Sequence, residues 1–272
     1  MNGSGFLSKM LTTHHDVVSY ELVLGENKIS LNSFVGQTLS LKFTQQIKCS
    51  ACDRAIPKSY QDGYCFPCVK KLARCDICMV KPELCHHHEG TCREPEWGQL
   101  FCMNSHIVYL ANVTGVKVGI TRKTQVPTRW MDQGALEALP LFEVPHRRVS
   151  GYVEVKIAEH IADKTNWRQM LMGICEKMPL QEMAAVLKKT IQNDLQDIRQ
   201  KFGEHAVKEL EDEVRKFEYP VLEYPKKIAS LGFDKTSHIE GKLLGIKGQY
   251  LIFDKGVLNV RKHSGYEVEF SS

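Results

Sequence analysis

The chain has 272 residues, of which 43% are hydrophobic and 25% charged, the make-up of a soluble globular protein. A net charge of +4 permits a nucleic-acid partner without demanding one. No run of about 18 apolar residues occurs, which excludes a membrane-spanning helix.

In chain order the pattern predicts an α+β fold in five segments. Residues 1–47 alternate apolar and polar side chains in "SYELVLGENKISLNSFVGQTLSLKF". Strands are expected at Tyr20–Leu24, Lys28–Leu31 and Thr38–Phe43, an antiparallel β meander. Residues 48–106 carry nine of the ten cysteines and few apolar runs, so metal is expected to stand in for a core. Residues 107–178 read as an α/β core. It has strands at Ile107–Ala111 and Val116–Thr121 and a helix from near Gly151. Residues 179–219 form a polar helical segment with a break at Gly203, assigned to packing or a homodimer contact. Residues 220–272 return to a small β module. The start, "MNGSGFLSKMLTTHHDVV", lacks the apolar core of a secretory signal. Ten cysteines are then expected as reduced thiols in the cytoplasm, where metal binding is their natural use.

The first cysteine unit is Cys49-x-x-Cys52 followed by Cys65-x-x-Cys68. Each Cys-x-x-Cys turn aims two sulfurs at one point, and two such knuckles make the tetrahedral set that Zn²⁺ favours. Gly63 eases the second turn. A second zinc is expected on Cys75 and Cys78 with two of Cys85, Cys92 and Cys102, and His86, His87 and His88 in reserve. Five candidates exceed four sites, so at least one is an ordinary buried thiol. Cys175 is read as packed.

The stretch "HIVYLANVTGVKVGITRKTQVPTRW" follows the cysteines. Its "IVYL", short turn, "KVGIT" and following arginine resemble the GIY-YIG nuclease superfamily. Val108–Tyr109 matches the first element and Lys117-Val118-Gly119 the second. Arg129 matches the family arginine, with Arg122 as a secondary candidate. Glu154 and Asn166 match the closing glutamate and asparagine. The resemblance covers Ile107 to Trp167. It implies a phosphodiesterase in which Glu154 holds Mg²⁺ or Mn²⁺ and Arg129 steadies the phosphorane charge, with Arg122 as a further phosphate contact. Tyr109 or Lys117 would handle the proton. Lys117 replaces the family's second tyrosine, which could leave a domain that binds without cleaving. The chain as a whole also resembles an uncharacterised prokaryotic family through its knuckles, "KPELCHHHEGTCR", "VGITR", "RWMDQGA", "DKTNW" and "GIKGQYLIFDKGVLNVR".

Independently, a helix from Gly151 puts Glu154 on a face with Ile157, Ala158 and Ile161. A carboxylate there needs a metal or an arginine, and the architectural alternative is an ion pair to Arg129, Arg147 or Arg148. Asp132 and Gln133 in "MDQGA" look like a helix end that could line a cleft. Asp163, Lys164 and Asn166 are expected near the end of the Glu154 helix. Trp130 and Trp167 read as core aromatics. Residues 117–168 hold nine Lys/Arg against six Asp/Glu, and 226–262 eight against three. DNA or RNA is therefore the expected partner, with protein scaffolding as the alternative.

Overall fold

A strand with one face on a core and one in water alternates apolar and polar residues, and the N-terminal segment does so. The computed structural model describes residues 2–161 and 166–272. Strands β1 (Asn2–Phe6), β2 (Leu11–Thr13), β3 (Ser19–Leu24), β4 (Asn27–Ser30) and β5 (Thr38–Ile47) come first. The cysteine segment holds α1 (Phe66–Lys71), several single 3-10 turns and α2 (Pro95–Phe101). Next come β6 (His106–Asn112), β7 (Val116–Arg122), α3 (Thr128–Asp132), β8 (Glu137–Val144), α4 (Arg147–Ala158) and α5 (Trp167–Leu171). Then follow α6 (Leu180–Thr190), α7 (Gln192–Phe202), β9 (Lys208–Glu209), β10 (Arg215–Lys216) and β11 (Ser230–Leu231). The last strands are β12 (His238–Lys247), β13 (Tyr250–Phe253), β14 (Gly256–Asn259) and β15 (Tyr266–Ser271). The fold is mixed α+β.

Strands β2, β3 and β4 form an antiparallel meander, which contains two of the three expected strands, β3 and β4, with β2 in place of the third. Strand β5, however, joins a seven-stranded sheet in the order β1-β15-β5-β12-β13-β14-β11. Residues 1–47 and 220–272, expected as separate modules, therefore share one sheet and one apolar core. The smaller sheet runs β10-β8-β6-β7, with β9 also on β8. Every residue of β6 is buried, so the strand is covered on both faces. Val108 and Leu110 pack with Val149, Val153 and Ile157 of α4 and with α6 and α7. Ile107, Tyr109 and Ala111 face the other way, into the core that the large sheet shares.

Two local details differ from the sequence reading. Helix α4 starts at Arg147, four residues before Gly151, because the His146 ring accepts the Val149 N–H and caps it. The segment 179–219 is helical only to Phe202, where Gly203 at φ +104° ends α7. Beyond it the chain lays β9 and β10 along β8. Leu251, Ile252 and Phe253 are buried, and Tyr250 stacks on Trp167 at 5.7 Å and 6°. The aromatic residues of the tail are thus used internally.

One charge is buried in this core. Lys247 is 1% exposed, with its ammonium 5.4 Å from the ring centroids of both Tyr219 and Tyr224. Burial pushes it down to about 8, against the opposing influence of Cys175. Below pH 8 the folded state carries the full desolvation cost, offset in part by the two ring faces. That cost disappears as pH rises from about 8 toward 10.5, the ordinary value. Lys247→Met is therefore expected to stabilise the fold by on the order of 1–2 kcal/mol at pH 7. The gain should shrink by pH 10, as thermal melts at the two pH values would show.

Candidate metal centre and cleft

Cysteine sulfurs gather only where the backbone turns bring them together, and here two turns do so. The sulfurs of Cys49, Cys52, Cys65 and Cys68 all lie within 4.8 Å of one another, and Cys52 and Cys65 are 3.9 Å apart. A tetrahedral Zn²⁺ with bonds of about 2.3 Å spaces its sulfurs by roughly 3.8 Å, so the cluster could hold a zinc ion. The Cys65 N–H donates to Cys49 Sγ at 3.2 Å. Burial pushes the Cys49 thiol up, but N–H donors from Cys65, Ala51 and Cys52 outweigh it and bring it to about 6. Cys68 is pushed up to about 12, first by its hydrogen bond with Cys65 and then by burial. Gly63, at φ +90°, turns the chain where a Cβ would strike the Ser264 carbonyl, so the knuckle is pressed onto the segment before β15.

The remaining cysteines are arranged differently. Cys78 and Cys85 share a hydrogen bond that lowers Cys85 to about 5 and pushes Cys78 far up, with the charge of Cys102 felt at Cys78. Burial raises Cys102 to about 11, and the charges of Cys85 and Cys92 add to it. Cys92 and the His87 ring both press on Gly98. Cys75 stands apart: burial raises it, and its charged neighbours are Arg74, Asp62, Arg93 and Glu94 rather than sulfurs. Asp76, Cys78 and His86 form a second group, of three ligand atoms within 4.8 Å of one another. Asp76 in that trio is also gripped by Arg93 at 2.6 Å. His106 is wholly buried and donates from Nδ1 to the Asn104 carbonyl at 2.7 Å, and burial lowers it to about 4, which keeps it neutral.

Next to the cysteine segment lies an open cleft of about 800 Å³. Seven Lys/Arg side chains and three carboxylates line it. Asp132 pairs with Lys9 at 2.9 Å and Asp62 with Arg261 at 3.0 Å. Tyr109, Lys117, Arg129 and Glu154 all reach this cleft, as do Arg122 and Gln133.

Each is placed by its element. Tyr109 on β6 lies opposite Gly119 on β7, and a Cβ at 119 would sit 2.8 Å from the phenol oxygen. Only glycine lets the ring cross the neighbouring strand. The ring packs edge-on against Trp130 at 5.5 Å, and its hydroxyl accepts from Gln133 Nε2 at 2.6 Å. Burial raises Tyr109, against the lowering influence of Arg129 and Gln133, so at neutral pH the phenol keeps its proton. Helix α3 ends at Asp132, with Gly134 beyond it at φ +72°, and places Arg129 and Gln133 beside the phenol.

Glu154 is half-buried on α4, at the edge of the face carrying Val153 and Ile157, and the electrostatic influence of its carboxylate reaches Tyr109 and Arg147. Arg147 itself is half-buried; it donates to the Met79 carbonyl at 2.8 Å, while its N–H binds the Cys102 carbonyl at 2.8 Å. It thereby ties α4 to the cysteine segment. Ala158, expected beside Glu154 on an apolar face, is exposed.

Asn166 is not brought to the cleft: its side chain accepts from the Arg168 and Gln169 N–H groups and caps α5. Asp163 and Lys164 lie outside the described residues. Sequence reasoning missed Arg74, Trp97 and Phe101, which also line the cleft. The four-residue spacing of Trp97 and Phe101 was a usable signal for a shared helix face.

Across the chain, the model of a family described as "Protein of unknown function (DUF2797)" matches residues 36–268. No curated protein and no solved structure matches.

Proposed function

We propose that this chain, which belongs to the DUF2797 family over residues 36–268, binds nucleic acid in the cleft and cleaves a phosphodiester there. The observation that carries this reading is that Tyr109, Lys117, Arg129 and Glu154 line one basic cleft, the set that resembles the GIY-YIG constellation. Glu154 would hold Mg²⁺ or Mn²⁺; Mg²⁺ commonly uses one or two carboxylates and keeps several waters. When bound, the ion would polarise a phosphoryl oxygen. Arg129 supplies a planar donor pair for phosphate oxygens. Tyr109, still protonated, serves as a hydrogen-bond donor rather than a base. That leaves Lys117, where the resembling family has a tyrosine, as the side chain beside the attacking water. The Cys49 cluster would carry a structural zinc, and Cys78, Cys85 and Cys102 with Cys92 or His87 would supply a second.

A non-catalytic reader of nucleic acid is the second reading, favoured by Lys117 and by the electrostatic reach of Glu154 to Arg147. The two separate on cleavage of single- and double-stranded DNA and RNA with Mg²⁺ or Mn²⁺. Glu154→Ala, with unchanged zinc content, is expected to lower cleavage at least about a hundredfold while binding persists. Wild type that binds but never cleaves would leave the reader; cleavage equal in both proteins would remove Glu154 from the site.

A further inference from the structure

We infer that the strand held in the cleft is unpaired, and that one of its bases stacks on a platform made by Trp97 and Phe101, given the nucleic-acid reading above on which this depends. The two residues sit one turn apart on α2, so they share a face. Their rings are stacked, with centroids 4.8 Å apart and planes 18° from parallel. Arg74 lies over the Trp97 ring at 5.6 Å, and Arg122 over the Phe101 ring at 4.8 Å. All four line the cleft. A row of guanidinium, indole, phenyl and guanidinium thus runs along the wall contributed by the cysteine segment and β7.

Trp97 and Phe101 are half-buried and belong to neither apolar core. Large aromatics left on a polar wall cost apolar exposure unless a ligand covers them. Bases stack on aromatic rings and on arginine planes alike; the inner ring faces stack on each other and the outer ones lie under Arg74 and Arg122, so a base takes an outer ring face by replacing the arginine over it, and the displaced guanidinium is left for phosphate oxygens. A duplex keeps its base faces buried in its own stack, and only an unpaired or splayed nucleotide can present one. The row therefore selects strand state, not sequence, since every base has a π-face. Gly98 between the two aromatics lies against the His87 ring and Cys92 Sγ, which fixes the platform to the metal-binding segment.

The test is equilibrium binding, without divalent cation, of labelled single-stranded DNA and RNA oligonucleotides and their duplexes. Proteins compared are wild type, Trp97→Leu and Trp97→Phe, each checked for zinc content and melting temperature. Wild type is expected to prefer single strands. Trp97→Leu should lose about tenfold to a hundredfold for them while holding its duplex affinity, the range that stacking of one base supplies. Trp97→Phe, which keeps a ring, should recover most of the loss. Equal single-strand binding by a folded Trp97→Leu, or a wild-type preference for duplex, overturns the platform and leaves the nuclease reading standing. Absence of binding to any of the four by wild type at low salt overturns the nucleic-acid reading and the platform with it. The DNA and RNA arms decide which sugar the cleft accepts.

Discussion

Cys65→Ser is expected to cost one zinc per chain and to unfold the knuckle around it. Cys49 and Cys65 are buried, yet the loops around them expose Tyr60 and Phe66, so little apolar packing remains once the sulfur set is broken. A structural zinc contributes on the order of 10 kcal/mol or more to folding in small finger peptides. That is comparable to the whole stability of an ordinary domain, roughly 5–15 kcal/mol. The damage should spread, because the Lys48 N–H binds the Gly265 carbonyl and Ser50 binds Gly63 beside it. Metal analysis, melting temperature and limited proteolysis within residues 48–72 read the three consequences. A variant with full zinc and native melting would sink the assignment of the cluster. Treating the wild type with a strong chelator should reproduce the same cleavage pattern.

Gly151→Ala is the second large effect. Alanine inside a helix is worth about 1 kcal/mol more than glycine, so propensity alone makes the change stabilising. Packing decides otherwise. A Cβ at 151 would collide with the Glu83 N–H and the Pro82 backbone, and a backbone cannot swing aside as a flexible side chain does. This is the point where the cysteine segment rests on α4, one helical turn along from Arg147, which holds the Met79 carbonyl. The overlap is expected to cost about 2–4 kcal/mol net, a fall of several degrees in melting temperature. Because Met79, Val80 and Pro82 line the cleft, the proposed nucleic-acid binding should weaken with it. A variant more stable than wild type would mean the segment does not seat on the helix as described.

Local chemistry carried much of this into the sequence. The hairpin of β6 and β7 was readable because apolar alternation flanks a tight turn, and the Cys49 cluster because sulfur spacing constrains geometry. The meeting of Tyr109, Arg129 and Glu154 came from motif resemblance; periodicity by itself placed only Glu154, and put it on too apolar a face. Long-range pairing left no local trace. Nothing in "TLSLKF" says that it lies between "HIEGK" and "YEVEF", since register depends on partners far along the chain. Asn166 misled for a different reason: an asparagine just ahead of a short helix is as good a cap as a ligand. The second cysteine group was only partly legible, because Cys75 obeys the Cys-x-x-Cys spacing while its neighbours are charged side chains.

The place of β15 between β1 and β5 sets an order of events. The β1 and β5 segments leave the ribosome early, with open strand edges, and gain their shared neighbour only after more than 200 intervening residues have been made. Such distant closure slows folding more than it weakens the product. The small sheet, by contrast, draws β6, β7 and β8 from adjacent sequence and can assemble at once. Ser8, Lys9, Arg261 and Ser264, which complete the cleft wall, lie in the connections that leave β1 and enter β15 of the slow sheet. The nascent chain would thus hold its knuckles and hairpin ready while the cleft stays unfinished, and competence would wait as a late checkpoint on the synthesis of β15.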